Sequence, residues 1–178
     1  MNRLRKDDIR RLFVLLDAEL GERDVVGELY LVGGAVMCLS LGARDATADV
    51  DALFRPARIV REAAARVAIA AGVGETWLND AVKGYLSARG EFDAYLELPH
   101  LRVFTARPEY LLAMKCAALR LGAAFHDLDD VRFLLRYLNV TSADEAMRIV
   151  TQYFDERQLL PKTRLALEEL LGQGSLSS

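Results

Sequence analysis

Residues 29–54 read LYLVGGAVMCLSLGARDATADVDALF, an apolar run that breaks at Gly33-Gly34 and ends on two carboxylates one residue apart, Asp49 and Asp51. Side chains alternate along a strand, so Asp49 and Asp51 leave one face while Val50 and Ala52 leave the other. Two like charges on one face of an apolar strand are costly unless cations, solvent or hydrogen bonds compensate them, and a divalent metal with phosphate groups is one such solution. Upstream, the apolar Leu29–Val32 predicts a strand and Ala35–Leu41 a helix, with the glycines as the turn between them. Glycine lets a backbone approach an anion closely, and the first amides of a helix favour negative charge, so the turn suits a triphosphate lying beside metals. Taken singly, a Gly-Gly turn and an Asp-x-Asp are ordinary loop and strand-end features. Their order on successive elements points to a site.

Working outward, Pro56–Ala71 is an alanine-rich helical stretch with proline in its first turn, ended by Gly72 and Gly74. Residues 75–87 resist assignment; the only tryptophan, Trp77, is read as a core aromatic in preference to a wall for a base. Two strands, Phe92–Leu98 and Leu101–Thr105, flank Pro99-His100 and predict a hairpin. On the first of them Asp93, Tyr95 and Glu97 alternate onto one face. Ahead of the quoted stretch, Ile9, Leu12, Phe13, Leu16 and Leu20 recur at helical spacing. The cations Arg3, Arg5, Lys6, Arg10 and Arg11 then read as its solvated face, with a phosphate-attracting patch as the alternative. Arg44 and Arg102 are better placed for the expected cleft.

From residue 108 onward the chain reads as helical. Pro108–Leu121 carries Leu111, Leu112, Met114, Ala118 and Leu119 inward, so Lys115 among them needs an explanation; a snorkelling surface lysine is the plain one. Asp127 opens a helix continuing through Val131, Phe133, Leu134 and Leu138, where an acid can be an N-cap or a dipole partner. For Asp129 and Asp130 the helix-start role is preferred. Ser142 and Glu145 form a capping-box pattern for a helix reaching Tyr153, and Pro161 starts a final helix ending by Gly172.

With 178 residues, 52% of them hydrophobic, the chain can build a core without a covalent staple. Cys38 and Cys116 sit in apolar helical stretches with no metal-ligand spacing, which suits small core residues in a reducing cytoplasm. No apolar run approaches the roughly 20 residues of a membrane span. Net charge is −3, so whole-chain electrostatics do not announce a nucleic-acid binder.

The Gly33-Gly34 turn, the following helix and Asp49-Val50-Asp51 together resemble the signature of the polymerase-beta-type nucleotidyltransferase superfamily. More narrowly, residues Arg44 to Asp51, Trp77-Leu78-Asn79-Asp80, the run from Pro108 to Lys115 and His126-Asp127-Leu128-Asp129-Asp130 resemble bacterial AbiEii-type nucleotidyltransferases, a group that includes toxins of type IV toxin–antitoxin pairs. The resemblance covers most of positions 28 to 138. Fourteen residues separate Gly34 from Asp49, slightly more than is usual in the superfamily.

The resemblance implies roles residue by residue. Asp49 and Asp51 would hold Mg2+, Gly33 and Gly34 would bind the nucleotide, and Lys115 would neutralise its phosphates. Asp127, ahead of Asp130, is the candidate for the further acidic motif, and Asp93 or Glu97 for the third carboxylate that many polymerase-type enzymes carry on a neighbouring strand. It also implies a nucleoside triphosphate substrate, transfer RNA as acceptor, growth toxicity and a cognate antitoxin. A metal-dependent phosphohydrolase built on His126-Asp127 fits less well, since His100 is the only other histidine and the middle of the chain is strand-rich. A nucleotidyltransferase-like protein without catalysis, acting as a binding module or antitoxin, is the stronger competitor.

The sequence therefore predicts an α+β fold: a small mixed-sheet nucleotidyltransferase core with its N-terminal helix over residues 1–107, and a helical part over 108–178 packed on it. The expected activity is metal-dependent transfer of a nucleoside monophosphate to an acceptor hydroxyl with release of pyrophosphate, in the cytoplasm and away from membranes.

Overall fold

A computed structural model describes residues 3–119 and 125–172, with side chains for all of these except 125–127. The fold is α+β, and the chain divides into two compact units: Met1–Tyr85 with Phe92–Ala106, and Leu86–Glu91 with Arg107–Ser178.

The first unit opens with β1 (Leu4–Arg5) and α1 (Lys6–Gly21), followed by β2 (Gly27–Leu31), α2 (Gly33–Leu39), β3 (Ala46–Thr47), β4 (Val50–Arg55), α3 (Ala57–Ala71) and β5 (Leu78–Asn79). A 3-10 turn, Ala81–Tyr85, comes next, and the hairpin β6 (Phe92–Glu97) and β7 (Leu101–Ala106) completes it. The main sheet has the order β5-β4-β2-β7-β6, and a separate short ladder joins β1 to β3. Strand β2 runs antiparallel to β4 and parallel to β7, so the sheet is mixed.

Period-2 alternation sorts the sheet into two faces. Leu29, Leu31, Val50, Ala52, Phe54, Leu101 and Val103 are buried, beneath α1 and α3, which pack against each other and against β7 and β4. Helix α1 buries Ile9, Leu12, Phe13, Leu16 and Leu20, the residues its spacing selects. Helix α3 contributes Val60, Ala63, Ala64, Val67 and Ala68. Each large side chain sealed there stabilises the fold by roughly 1.5–3 kcal/mol. The opposite face is half-covered and carries Leu53, Tyr30, Phe104 and Phe92, with the Tyr30 ring stacked 4.9 Å from Phe104. Trp77 is a core residue whose indole N–H donates to the Ala64 carbonyl at 3.0 Å.

Helix α2 is displaced from its expected span: it begins on the glycines and stops at Leu39, because Gly42, at φ 62°, turns the chain away soon afterwards. Helix α3 ends at Gly72 in the left-handed conformation, as the glycine pattern predicts.

The second unit is helical: α4 (Pro108–Ala118), α5 (Phe125–Tyr137), α6 (Ala143–Tyr153), a 3-10 turn at Glu156–Gln158 and α7 (Pro161–Gly172). Helix α4 packs against α5 and α6, and α6 against α7. Leu119 occupies the C-cap of α4, and the expected continuation to Leu121 lies outside the described residues. The Ser142 hydroxyl accepts the Glu145 N–H at 3.2 Å, but the Glu145 carboxylate accepts from Thr141 N–H rather than from Ser142, one residue earlier than a reciprocal capping box.

Residues 86–91 join this unit through side chains. Ser87 N–H donates to the Tyr110 hydroxyl at 2.9 Å, the Ser87 hydroxyl donates to the Tyr153 carbonyl, and the Tyr153 hydroxyl donates to Glu91. Gly90 lies against Tyr110, where a Cβ would come within 2.6 Å of a ring carbon. Cys38 and Cys116 are buried and not disulfide-bonded. No helix among the described residues is long and apolar enough to cross a membrane.

Candidate active site

Strand β2 ends beside Asp51, where Val32 N–H donates to the Asp51 carbonyl at 3.0 Å. The next residue, Gly33, has φ 63°, a left-handed conformation that a side chain makes unfavourable. A Cβ there would stand 3.2 Å from Asp51 Oδ2. At Gly34 a Cβ would stand 2.6 Å from the Thr47 hydroxyl and 3.8 Å from an Arg44 guanidinium nitrogen. The two glycines thus let the backbone pass directly against a carboxylate, a buried hydroxyl and a cation. A residue with a side chain at either position would push those groups away.

Strand β4 begins at Val50, so Asp49 lies immediately before it and Asp51 within it. Val50 and Ala52 are fully buried while Asp49 and Asp51 are half-exposed, so the two acids share the less covered face. Their environment is completed by Asn79 of β5, which pairs with Asp51 in parallel register. The Asn79 amide nitrogen donates to Asp49 Oδ2 at 3.2 Å, and its carbonyl oxygen accepts from Ala81 N–H at 3.2 Å. With both ends engaged, the amide is fixed in orientation and steers Asp49. Asp80, next in sequence, is tied to Arg61 of α3 at 2.7 Å, which anchors this edge of the sheet to the core helix.

The register separates the two candidates for a third carboxylate. Asp93 pairs with Thr105, Thr105 with Leu31 and Leu31 with Ala52, so Asp93 leaves the core-side face, opposite Asp51. A bulge between Ala94 and Leu96 then shifts the alternation. Tyr95 stays on the side of α1, where its hydroxyl accepts from Arg10, and Glu97 crosses to the other face. There Glu97 sits beside Arg102, in a row with Glu28 and Arg55, about 13 Å along the strands from Asp51. The expectation that Asp93, Tyr95 and Glu97 share a face is therefore corrected, and Arg102, 3.6 Å from Glu97, belongs to that remote end as well. Arg44, by contrast, lies at the glycine turn.

The donor set fits magnesium. This ion takes one or two carboxylates, completes its shell with water and substrate phosphate oxygens, and seldom uses an all-protein cage. Asp49 and Asp51 supply that number of hard oxygen ligands, and among the described residues no group of three or more acids, histidines or cysteines gathers into a denser metal site.

Lys115 and Asp127 belong to the second unit. Lys115 is not a snorkelling surface residue: its side chain is 15% exposed, and its ammonium lies 2.8 Å from Asp130, which is 4% exposed. The helix-start role preferred for Asp130 gives way to that of a buried counter-ion. Asp129 likewise lies past the first turn of α5, exposed, and pairs with Arg132 at 2.9 Å. Asp127 lies in the first turn of α5, and its side chain, like that of His126, falls outside the described residues.

Sequence reasoning passed over Asn79 and Thr47 as individual site residues. For Asn79 the only signal is a polar residue closing the apolar Trp77-Leu78 pair; for Thr47 it is a hydroxyl two residues ahead of Asp49. Neither reveals its partner before the strands are paired. No family model matches the chain, and no curated protein or solved structure matches it.

Proposed function

We propose that the protein is a metal-dependent nucleotidyltransferase that moves a nucleoside monophosphate from a triphosphate to an acceptor hydroxyl. The observation that carries this reading is the left-handed Gly33 lying against the Asp51 carboxylate, with Asp49 on the same face. A phosphate-accepting backbone and a pair of magnesium ligands then stand side by side. Asp49 and Asp51 would hold the ion, which when bound polarises the α-phosphorus and offsets the charge of the departing pyrophosphate.

In the reaction the acceptor oxygen bonds to the α-phosphorus, the bond from that phosphorus to the α,β-bridging oxygen breaks, pyrophosphate leaves, and the acceptor proton passes to solvent. The chain's own part is placement. Gly33 and Gly34 give close access to the backbone, Arg44 and Thr47 border that turn with a cation and a hydroxyl, and Asn79 holds Asp49 in one orientation. Alignment and charge compensation suffice for much of the acceleration in displacements at phosphorus. In the helical unit the proposal rests on the sequence resemblance: Lys115 as a phosphate-neutralising cation and Asp127 as a further acid.

The resemblance also supports transfer RNA as acceptor and a toxin kept in check by an antitoxin, in the cytoplasm. Expression in a host lacking any partner tests this part. Growth arrest by the wild type that Asp51→Ala relieves supports a toxic transfer reaction, and equal arrest by both removes it. A second reading, a nucleotidyltransferase-like module that binds without turnover, draws on one observation: the register takes both third-carboxylate candidates away from the acid pair, Asp93 to the opposite face and Glu97 to the Arg55 end of the sheet.

A further inference from the structure

A cleft of about 1000 Å³ opens in the first unit next to the segment that leads into Asp49. Its apolar surface comes from Ala46, Ala48, Ala71 and Val73, over the buried Leu12 and Trp77, and its lining also carries Arg3, Arg5 and Arg11. All three arginines are exposed. Arg3 donates to the Ala46 carbonyl at 3.2 Å, which ties it to the same segment, while Arg5 and Arg11 have no ion pair among the described residues. The acids of the lining are Asp8 and Asp45, and Asp8 is engaged locally, accepting Arg5 N–H at 2.9 Å. In a chain of net charge −3, the lining carries three cations against two acids.

We infer that this cleft binds a short stretch of single-stranded polynucleotide. The volume lies at the upper end of small-ligand pockets and exceeds what a single nucleotide fills. Guanidinium groups on both the β1 strand and the α1 helix match a run of phosphates rather than one anion, and an apolar floor accepts bases without reading their sequence. A protein ligand would need hydrogen-bond partners along its backbone, which an apolar floor does not supply.

The position of the cleft gives the bound strand a direction. Ala48 lines it and is followed by Asp49; Thr76 and Trp77 line it and are followed by Leu78 and Asn79, the residue that holds Asp49. Ala48, at a bend between β3 and β4, thus separates the cleft from Asp49 by a single peptide. A strand seated in the cleft needs only to pass over the Ala48–Asp49 backbone to bring its end to the acids. That use of the bound strand rests on the nucleotidyltransferase reading; the binding itself does not.

The test is fluorescence anisotropy with a 5′-labelled single-stranded RNA 12-mer, without metal or triphosphate, so that binding and transfer succeed or fail separately. Wild type should bind, and Arg5→Ala/Arg11→Ala should bind at least tenfold more weakly. The slope of log affinity against log salt should fall by about 1.4, two phosphate contacts at about 0.7 each for a single strand. The single variant Arg11→Ala, on an exposed helix position, should lose about half of that slope change and serves if the double variant folds poorly. Equal binding by wild type and both variants, or displacement of the 12-mer by equimolar mononucleotide, would overturn the inference.

Discussion

The Asp51 carboxylate and Gly33 approach so closely that a methyl group on Gly33 would lie 3.2 Å from Asp51 Oδ2, in a backbone conformation, φ 63°, that already disfavours a side chain. Two physical reasons for glycine therefore coincide at one residue. Gly42 separates them: it has φ 62° but nothing within 4 Å of its Cβ position.

Gly33→Ala and Gly42→Ala should each lose about 1–2 kcal/mol of stability from the left-handed backbone. Only Gly33→Ala should also lose nucleotidyl transfer, by at least tenfold. Thermal melts and transfer rates on the two variants check this; equal activity in both would mean that the Asp51 contact has no functional weight.

Asn79→Ala removes the amide that steers Asp49 while leaving both acids in place. Partners that orient metal ligands are typically worth 10–100-fold in affinity or activity. The magnesium concentration giving half-maximal transfer should accordingly rise about tenfold, with little change in the melting temperature. An unchanged magnesium requirement would reduce Asn79 to a strand-pairing residue.

The Lys115–Asp130 pair calls for a stability measurement. Removing one member of a buried ion pair leaves the other charge uncompensated, at about 3–5 kcal/mol, whereas replacing both by apolar residues of similar volume is often near neutral. Lys115→Ala should fall in that range by urea denaturation, and Lys115→Met/Asp130→Leu should recover most of it. If Lys115→Ala is as stable as wild type, the pair is not holding α4 against α5.

Burial pushes the Cys116 thiol up to about 12 and raises that of Cys38 as well. An unfolded thiol ionises near pH 9, so between about pH 9 and 12 the unfolded state holds fewer protons than the folded one. Stability should thus be intact below pH 9 and decline as pH rises through that window. Native protein should resist iodoacetamide at pH 8 and take up two equivalents in denaturant; rapid native labelling would contradict the burial of both thiols.

Much of this fold can be read from residue pattern. The α1 core residues, the Gly72 stop, the hairpin at Pro99-His100, and the starts of α6 and α7 all follow from local chemistry: periodicity, left-handed glycine, capping and proline. The site divides along the same line. Asp49 and Asp51 share a face because alternation acts over two residues. Whether Asp93 and Glu97 share that face depends on a bulge that nothing in PheAspAlaTyrLeuGlu announces. Asn79 lies thirty residues from its partner Asp49, and the counter-ion of Lys115 lies on another helix, so both contacts are decided by packing. Residues 86–91 illustrate the same limit: a strand-to-strand connection by position, yet committed to the helical unit through Ser87, Gly90 and Glu91.

The most direct test of the central claim is incubation of purified protein with each α-labelled nucleoside triphosphate, magnesium and total RNA, alongside Asp49→Ala and Asp51→Ala. Label should appear in an RNA band with the wild type, with one triphosphate preferred, and with neither variant although both melt like the wild type. Label transferred equally by the variants, or absent from RNA, protein and small molecules even with the wild type, would contradict it.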